Sequence, residues 1–83
     1  MHLPRLLNAT FEALWCLRFD PRGRYLALGM LSGYVLVVRL EDGELLVDER
    51  RHEGRVWDLA FTPDGTNLVS GGDDGAVLIW DLR

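Results

Sequence analysis

Residues 52–81 read HEGRVWDLAFTPDGTNLVSGGDDGAVLIWD, three short apolar runs separated by two turn signals. The first run alternates large apolar side chains with others, which is typical of a half-buried strand. Residues 62–65 contain the Pro and Gly of a hairpin turn, and Asp74-Gly75 makes the next tight turn. We therefore predict an antiparallel meander of three strands, at residues 56–61, 67–71 and 76–82.

The same pattern occurs earlier in the chain, at a distance of 42 residues. Over positions 14–41, eleven residues are identical to the residue 42 positions later, without a gap, among them Trp15 with Trp57. A repeat of about 40–45 residues built from strands has the period of a propeller blade. Further strands are predicted at residues 14–19, 25–29, 34–40 and 44–49.

Residues 52–81 closely resemble a WD40 repeat. They contain a His, a Val four residues later, a Phe-Thr-Pro-Asp-Gly turn, a Ser-Gly-Gly-Asp-Asp-Gly segment and a closing Ile-Trp-Asp. Only the Gly that usually precedes the His is replaced, by Arg51. The first repeat resembles a degenerate copy. The resemblance implies an all-β fold of two four-stranded WD40-type propeller blades: blade 1 at residues 9–50, and blade 2 at 51–83 without its outermost strand.

In the WD40 family a buried hydrogen-bonded network stiffens the blade. The resemblance assigns it to His52, Ser70, Asp74 and Trp80. Buried polar groups persist only when paired, and a buried indole N–H needs an acceptor, so such a network is physically reasonable. The same residue types could suggest a catalytic constellation, but the repeat places them in the structural network, and we expect no enzyme. Blade 1 should rely on apolar packing, because its matching positions are Thr10, Leu28, Ser32 and Val38.

The resemblance also implies a ligand-binding face. In the family, the positions of Arg55, Trp57 and Asp73 lie on the narrow top face, which commonly binds peptides. The matching positions of blade 1 are Ala13, Trp15 and Leu31. Trp and Arg are enriched in binding hot spots. The candidate binding residues, with simple packing as the alternative, are Trp15, Leu31, Arg55, Trp57 and Asp73.

Two blades are too few for a propeller, which has about four to eight. A short apolar segment with Leu3, Leu6 and Leu7 aligns with the fourth-strand slot, so residues 1–8 are predicted to complete blade 2 of a neighbouring chain. A head-to-tail contact of this kind closes into a ring if the rotation is right. We expect a homo-oligomer of four chains and eight blades, or else of three chains and six. The alternative is a fragment, or an engineered or evolutionary building block, of a longer WD40 propeller with no ligand of its own.

The charge is acidic: nine Arg and no Lys against thirteen Asp and Glu give a net charge of −4. Without a basic cluster, nucleic acid is a poor candidate partner. Residues 1–41 carry +2 and residues 42–83 carry −6, counting Arg against Asp and Glu. We therefore expect some attraction between alternating blades.

Cys16 is the single cysteine, so the chain forms no internal disulfide, and with His2 and His52 far apart in sequence no metal or other cofactor is expected. We predict that Cys16 is buried and inert. A free thiol fits a reducing compartment, by default the cytoplasm. The longest uncharged run, 25–38, is too short to cross a membrane. The predicted function is a non-catalytic interaction scaffold that binds itself and, on its top face, proteins or peptides.

Overall fold

The computed structural model describes residues 14–82, which form seven antiparallel strands in two sheets. The first sheet has the order β1-β2-β3-β4 and the second the order β5-β6-β7. The strands are β1 (Leu14–Phe19), β2 (Tyr25–Met30), β3 (Tyr34–Arg39), β4 (Glu44–Arg50), β5 (Val56–Phe61), β6 (Asn67–Gly72) and β7 (Val77–Asp81). The all-β prediction is confirmed, and each predicted strand end is correct to within one residue. The predicted inter-chain strand, with Leu3, Leu6 and Leu7, lies outside the described residues.

A β-bulge interrupts the first strand of each sheet at the same repeat position. The register shifts between Leu14 and Cys16 in β1, and between Val56 and Asp58 in β5. The extra residue of each bulge is a tryptophan, Trp15 or Trp57. A bulge bends its strand and redirects side chains, and bulges are frequent beside binding sites. Simple alternation of apolar residues does not predict this shift.

The main core lies between the two sheets. Ala27, Val35 and Val37 of the first sheet pack with apolar residues of the second, and the buried members from the second sheet are Val56, Leu59, Leu68 and Trp80. Side chains alternate across a strand, so Leu28 and Leu36 lie on the opposite face of the first sheet, in a second cluster with Met30. Most of the stabilising apolar burial thus comes from one sheet packing on another.

The sheets approach most closely at their first strands and diverge outwards. Strand β5 contacts β1 and β2. At the other side, a cleft of about 550 Å³ opens between β4 and β7, lined by residues that include Leu46, Val47, Leu78 and Ile79. This wedge shape is what a ring of blades around a central axis requires.

Polar contacts also join the first strands of the two sheets. The Cys16 Sγ donates to the carbonyl oxygen of Val56 at 3.5 Å, and Arg18 forms an ion pair with Asp58 at 2.7 Å. Cys16 is half-buried rather than fully buried. Burial and the nearby Asp58 carboxylate raise the pKa of its thiol, which opposes formation of the reactive thiolate.

The sheet boundaries change the predicted charge pattern. Strand β4 carries Glu44, Asp48 and Glu49 and belongs to the first sheet. Counted by sheet, residues 14–50 carry −1 and residues 51–82 carry −4. Both sheets are therefore acidic, and the charge difference between them is smaller than the difference between residues 1–41 and 42–83.

Candidate functional site

The structure brings His52, Ser70, Asp74 and Trp80 together in one hydrogen-bonded chain, named here the blade network. The Trp80 indole N–H donates to Ser70 Oγ at 2.8 Å. Ser70 Oγ lies 2.7 Å from His52 Nε2, and His52 Nδ1 lies 3.2 Å from an Asp74 carboxylate oxygen. One proton assignment satisfies every contact: Trp80 donates to Ser70, Ser70 donates to Nε2, and Nδ1–H donates to Asp74.

The blade network is buried at one end and open at the other. Ser70 and His52 are 0% and 1% exposed, whereas the Asp74 side chain is 19% exposed. The backbone N–H groups of Glu53 and Ala76 donate to Asp74, and with His52 they lower the pKa of this carboxyl to about 2. Asp74 therefore stays ionised and anchors the loop before β5 to the turn before β7.

The first sheet has no equivalent of this network among residues 14–82. Leu28 and Val38 stand where the second sheet has Ser70 and Trp80, and they are 5% and 0% exposed. Ser32 stands in place of Asp74 and is exposed. Thr10 lies outside the described residues. At these positions the first sheet is held by apolar contacts.

A second cluster, named here the top-face cluster, joins Trp15 and Trp57 across the two sheets. Their rings meet edge to face, with centroids 5.8 Å apart and an interplanar angle of 87°. The guanidinium of Arg55 lies 4.4 Å from the Trp15 ring centroid and 4.5 Å from that of Trp57. Both tryptophans remain about half exposed. Trp15 and Trp57 are the extra residues of the bulges in β1 and β5.

Asp73 also holds the arginine in place. The Arg55 Nε donates to Asp73 at 3.1 Å, and the Asp73 backbone N–H donates to the Arg55 carbonyl at 2.9 Å. Leu31, 44% exposed, follows β2 at the same end of the first sheet as Trp15. All five predicted top-face residues thus lie at one end of the sheets, and Trp15, Trp57 and Asp73 each contact Arg55.

The top-face cluster is rich in hydrogen-bond donors on an aromatic platform. Arg55 uses Nε for Asp73, which leaves its two Nη groups to donate elsewhere, and each exposed tryptophan adds an indole N–H. Cation–π contacts with both rings restrain the guanidinium, so little side-chain entropy is lost when it binds. Such a surface can bind a carbonyl or carboxylate oxygen beside an apolar side chain.

Sequence reasoning missed how these residues combine. It chose Arg55 and the two tryptophans by resemblance, one repeat at a time, whereas the contact forms between repeats. The available signal was the identity of Trp15 and Trp57 at a spacing of 42, because equivalent positions of adjacent sheets lie side by side. The ion pair of Arg18 with Asp58 was also missed.

Within residues 14–82, no group of three or more His, Cys, Asp and Glu side chains could hold a metal ion. No helix in this part of the chain is long and apolar enough to cross a membrane.

Known proteins are similar to this chain in sequence. The profile of the family described as WD domain, G-beta repeat matches residues 43–81. WD repeat-containing protein 3 of Homo sapiens is 33% identical over 74 residues, which are 89% of this chain and 8% of that protein. U3 small nucleolar RNA-associated protein 12 of Saccharomyces cerevisiae is 37% identical over 78 residues, 89% of this chain and 8% of that protein.

A solved structure is similar in fold as well. The β-propeller domain of Cps50 (Swd1) from Myceliophteria thermophila has a TM-score of 0.78 and 30% identity, over 84% of this chain and 22% of that one. The chain belongs to the WD40-repeat family, whose propellers are in general non-catalytic scaffolds. It spans less than a tenth of the length of these two sequence relatives.

Proposed function

We propose that this chain is a non-catalytic scaffold that binds a segment of another protein at its top-face cluster. The observation that carries the proposal is the Arg55 guanidinium fixed between Trp15 and Trp57 at 4.4 and 4.5 Å. An exposed aromatic pair costs free energy in water, and a prearranged arginine on it is a typical binding hot spot. The preferred ligand is a peptide with a carboxylate or free carbonyl next to an apolar side chain.

Binding at this surface is tested with a peptide array followed by fluorescence titration. Arg55→Ala and Trp57→Ala should each weaken a captured peptide by at least about tenfold, the order expected for a hot-spot residue. Arg18→Ala is the matched control, because Arg18 is also an exposed arginine paired with an aspartate, outside the cluster. Peptide binding that survives both cluster substitutions would place the ligand elsewhere and contradict the proposal.

We also propose that the two sheets are blades of a propeller completed by further copies of the chain. Four copies, giving eight blades, are favoured over three copies and six. The cleft between β4 and β7 offers a place for one more strand beside β7. Residues 1–8, with Leu3, Leu6 and Leu7, are the proposed strand from the neighbouring copy.

The competing proposal is that the remaining blades come from the same, longer protein. The much greater length of the relatives favours it. Light scattering on the purified 83-residue chain separates the two, because a ring of three or four copies weighs several times 9.4 kDa. A well-folded monomer would contradict the homo-oligomer and leave the fragment or building-block reading.

The proposed compartment is the cytoplasm, on the basis of the free thiol. The relatives named as U3 small nucleolar RNA-associated proteins make the nucleolus the alternative. Imaging of a fluorescently tagged chain distinguishes the two compartments.

A further inference from the structure

The middle of the first sheet's outer face is buried. Leu28 and Met30 of β2 are each 5% exposed, and Leu36 of β3 is 6% exposed. These three side chains form a cluster of their own, separate from the core between the two sheets. A sheet buries an apolar face only by packing it against another element. Another element is therefore expected over β2 and β3.

Residues 14–82 do not supply this element. The partly buried residues that pack against the cluster, Leu14 and Leu26, belong to the first sheet itself. The second sheet packs on the opposite face, which carries Ala27, Val35 and Val37. Because side chains stand roughly perpendicular to a sheet, strands of the same layer shield the flanks of their neighbours but not the outer ends.

Uncovered parts of the two sheets show the contrast. Val77 and Ile79, on the outer face of the second sheet, are 70% and 72% exposed. Leu17 and Phe19 of β1 pair with apolar residues of β2 on the same face as the cluster, yet they are 39% and 62% exposed. The covering element therefore lies over β2 and β3 and leaves these two side chains of β1 uncovered.

The covering element belongs to the same chain, because the cluster is buried within a single copy. Outside residues 14–82 the chain has only residues 1–13 and Arg83, a single charged residue that follows the second sheet. Residues 1–13 directly precede Leu14, whose side chain packs against the cluster. When extended they span up to about 40 Å, about twice the length of a six-residue strand such as β2. Their large apolar side chains are those of Leu3, Leu6, Leu7 and Phe11.

We propose that residues 1–13 lie across β2 and β3 of their own first sheet, with their apolar side chains on Leu28, Met30 and Leu36. This inference goes beyond the proposed function and sets a condition on the assembly. Residues 1–8 are the strand proposed to complete blade 2 of a neighbouring copy, and they cannot occupy both places at once. The contact within the chain therefore holds back strand exchange, and assembly begins only when the segment leaves its own sheet.

Paramagnetic relaxation enhancement in the full chain tests the placement. A nitroxide is attached to Asn8→Cys in a Cys16→Ser background, and the methyl groups of this chain are isotopically enriched. The chain is then diluted with unenriched chain that carries no nitroxide, so that only effects within one copy are seen. The methyl signals of Leu28 and Leu36 should lose intensity, and that of Ile79 should not.

The control carries the nitroxide at Val77→Cys, on the exposed outer face of the second sheet. In the same dilution it should broaden the methyl signal of Ile79 and spare those of Leu28 and Leu36. Circular dichroism checks that both labelled chains keep the fold.

A second sample separates the chain's own segment from that of another copy. Here the nitroxide is on the unenriched chain, so that only effects between copies are seen. If Leu28 and Leu36 lose intensity only in this sample, the segment lies on another copy and the inference is overturned. No loss in either sample overturns it as well. Neither result depends on a ring, so light scattering still judges the assembly separately.

The hold on strand exchange is tested with Phe11→Ser. Phe11 lies outside residues 1–8, so the variant weakens the cover and leaves the proposed exchange strand intact. Burial of one Phe contributes enough free energy that its loss should strengthen association, measured by sedimentation equilibrium, by at least about tenfold. Ala9→Ser is the matched control in the same segment and should leave association unchanged.

The outcomes of this second test keep the two proposals apart. If the chain associates and the Phe11→Ser and Ala9→Ser variants associate equally, the segment does not restrain exchange and that part of the inference is overturned. Folded monomers throughout overturn the proposed assembly, while the relaxation measurement alone decides where residues 1–13 lie.

Discussion

Replacing Ser70 with alanine should reveal how much the blade network stabilises the fold. The hydroxyl contacts His52 Nε2 at 2.7 Å and the Trp80 indole at 2.8 Å, and Ser70 is fully buried. Its removal leaves the His52 ring nitrogen and the Trp80 indole N–H unpaired, and each unpaired buried group costs about 1–3 kcal/mol. We expect Ser70→Ala to cost about 2–4 kcal/mol in the free energy of unfolding. At roughly 4–8 °C per kcal/mol for a domain of this size, the melting temperature should fall by roughly 10–30 °C.

Ser32→Ala is the matched control. It deletes the same atom from an exposed serine of the first sheet, and should change stability by less than about 0.5 kcal/mol. Urea unfolding followed by circular dichroism measures both variants, at one fixed protein concentration because association would add to stability. If Ser70→Ala is as harmless as Ser32→Ala, the network does not stabilise the protein and the reasoning is refuted.

A double-mutant cycle then tests whether the network acts as a unit. Trp80→Phe removes the indole N–H that donates to Ser70. In the Ser70→Ala background this donor is already unpaired, so Trp80→Phe should cost less there than in the wild type, with a coupling of about 0.5–3 kcal/mol. Strictly additive costs would mean that the two residues contribute only by packing.

Three further predictions follow from single contacts. Hydrogen bonds lower the pKa of Asp74 to about 2, so its ionised form stabilises the fold above about pH 4, and this stabilisation is lost as the pH falls towards 2. Asp74→Asn should therefore flatten the decline of the unfolding free energy in urea titrations from pH 5 to 2. An unchanged decline would assign it to other carboxyls. Cys16, whose thiol pKa is raised by burial, should react with a disulfide reagent at pH 8 more slowly in the folded than in the urea-unfolded chain; equal rates would contradict its protection. Gly33→Ala should destabilise the fold more than Gly23→Ala. Both glycines have positive φ (+94° and +70°), but only at Gly33 would the new Cβ overlap the His52 carbonyl. Gly23→Ala should cost about 1–2 kcal/mol, and equal costs of the two variants in thermal unfolding would refute the overlap.

The strands could be predicted from the sequence because each one lies between strong turn signals. The hairpin turns before Tyr25 and Asn67 contain Pro and Gly at the same repeat positions, and the strands begin where these turns end. The bulges in β1 and β5 could not be predicted, because neither strand contains a glycine or proline that would indicate an irregular strand. The redirected Trp15 and Trp57 rings therefore emerge only in three dimensions.

Some polar contacts could be predicted from the sequence and others could not. His52, Ser70, Asp74 and Trp80 each sit at a motif position, and the structure joins them as one chain of hydrogen bonds. The ion pair of Arg18 with Asp58 joins different repeats at positions that are not equivalent, and no periodicity marks it. A repeat pattern shows what is equal between the sheets, but contacts between unlike residues depend on how one sheet is rotated against the next.

The matched repeat at residues 43–81 begins one residue before β4 of the first sheet and ends with β7 of the second. The sequence repeat is therefore shifted by one strand relative to the sheets: it contains the last strand of one sheet and three strands of the next. A tandem duplication of this segment adds the last strand to one sheet and three strands to the next. Each added repeat therefore contributes strands to two adjacent sheets and joins them. Repeat number can then change by recombination while each sheet still receives its full set of strands, and arrays of different length become accessible from one ancestral segment.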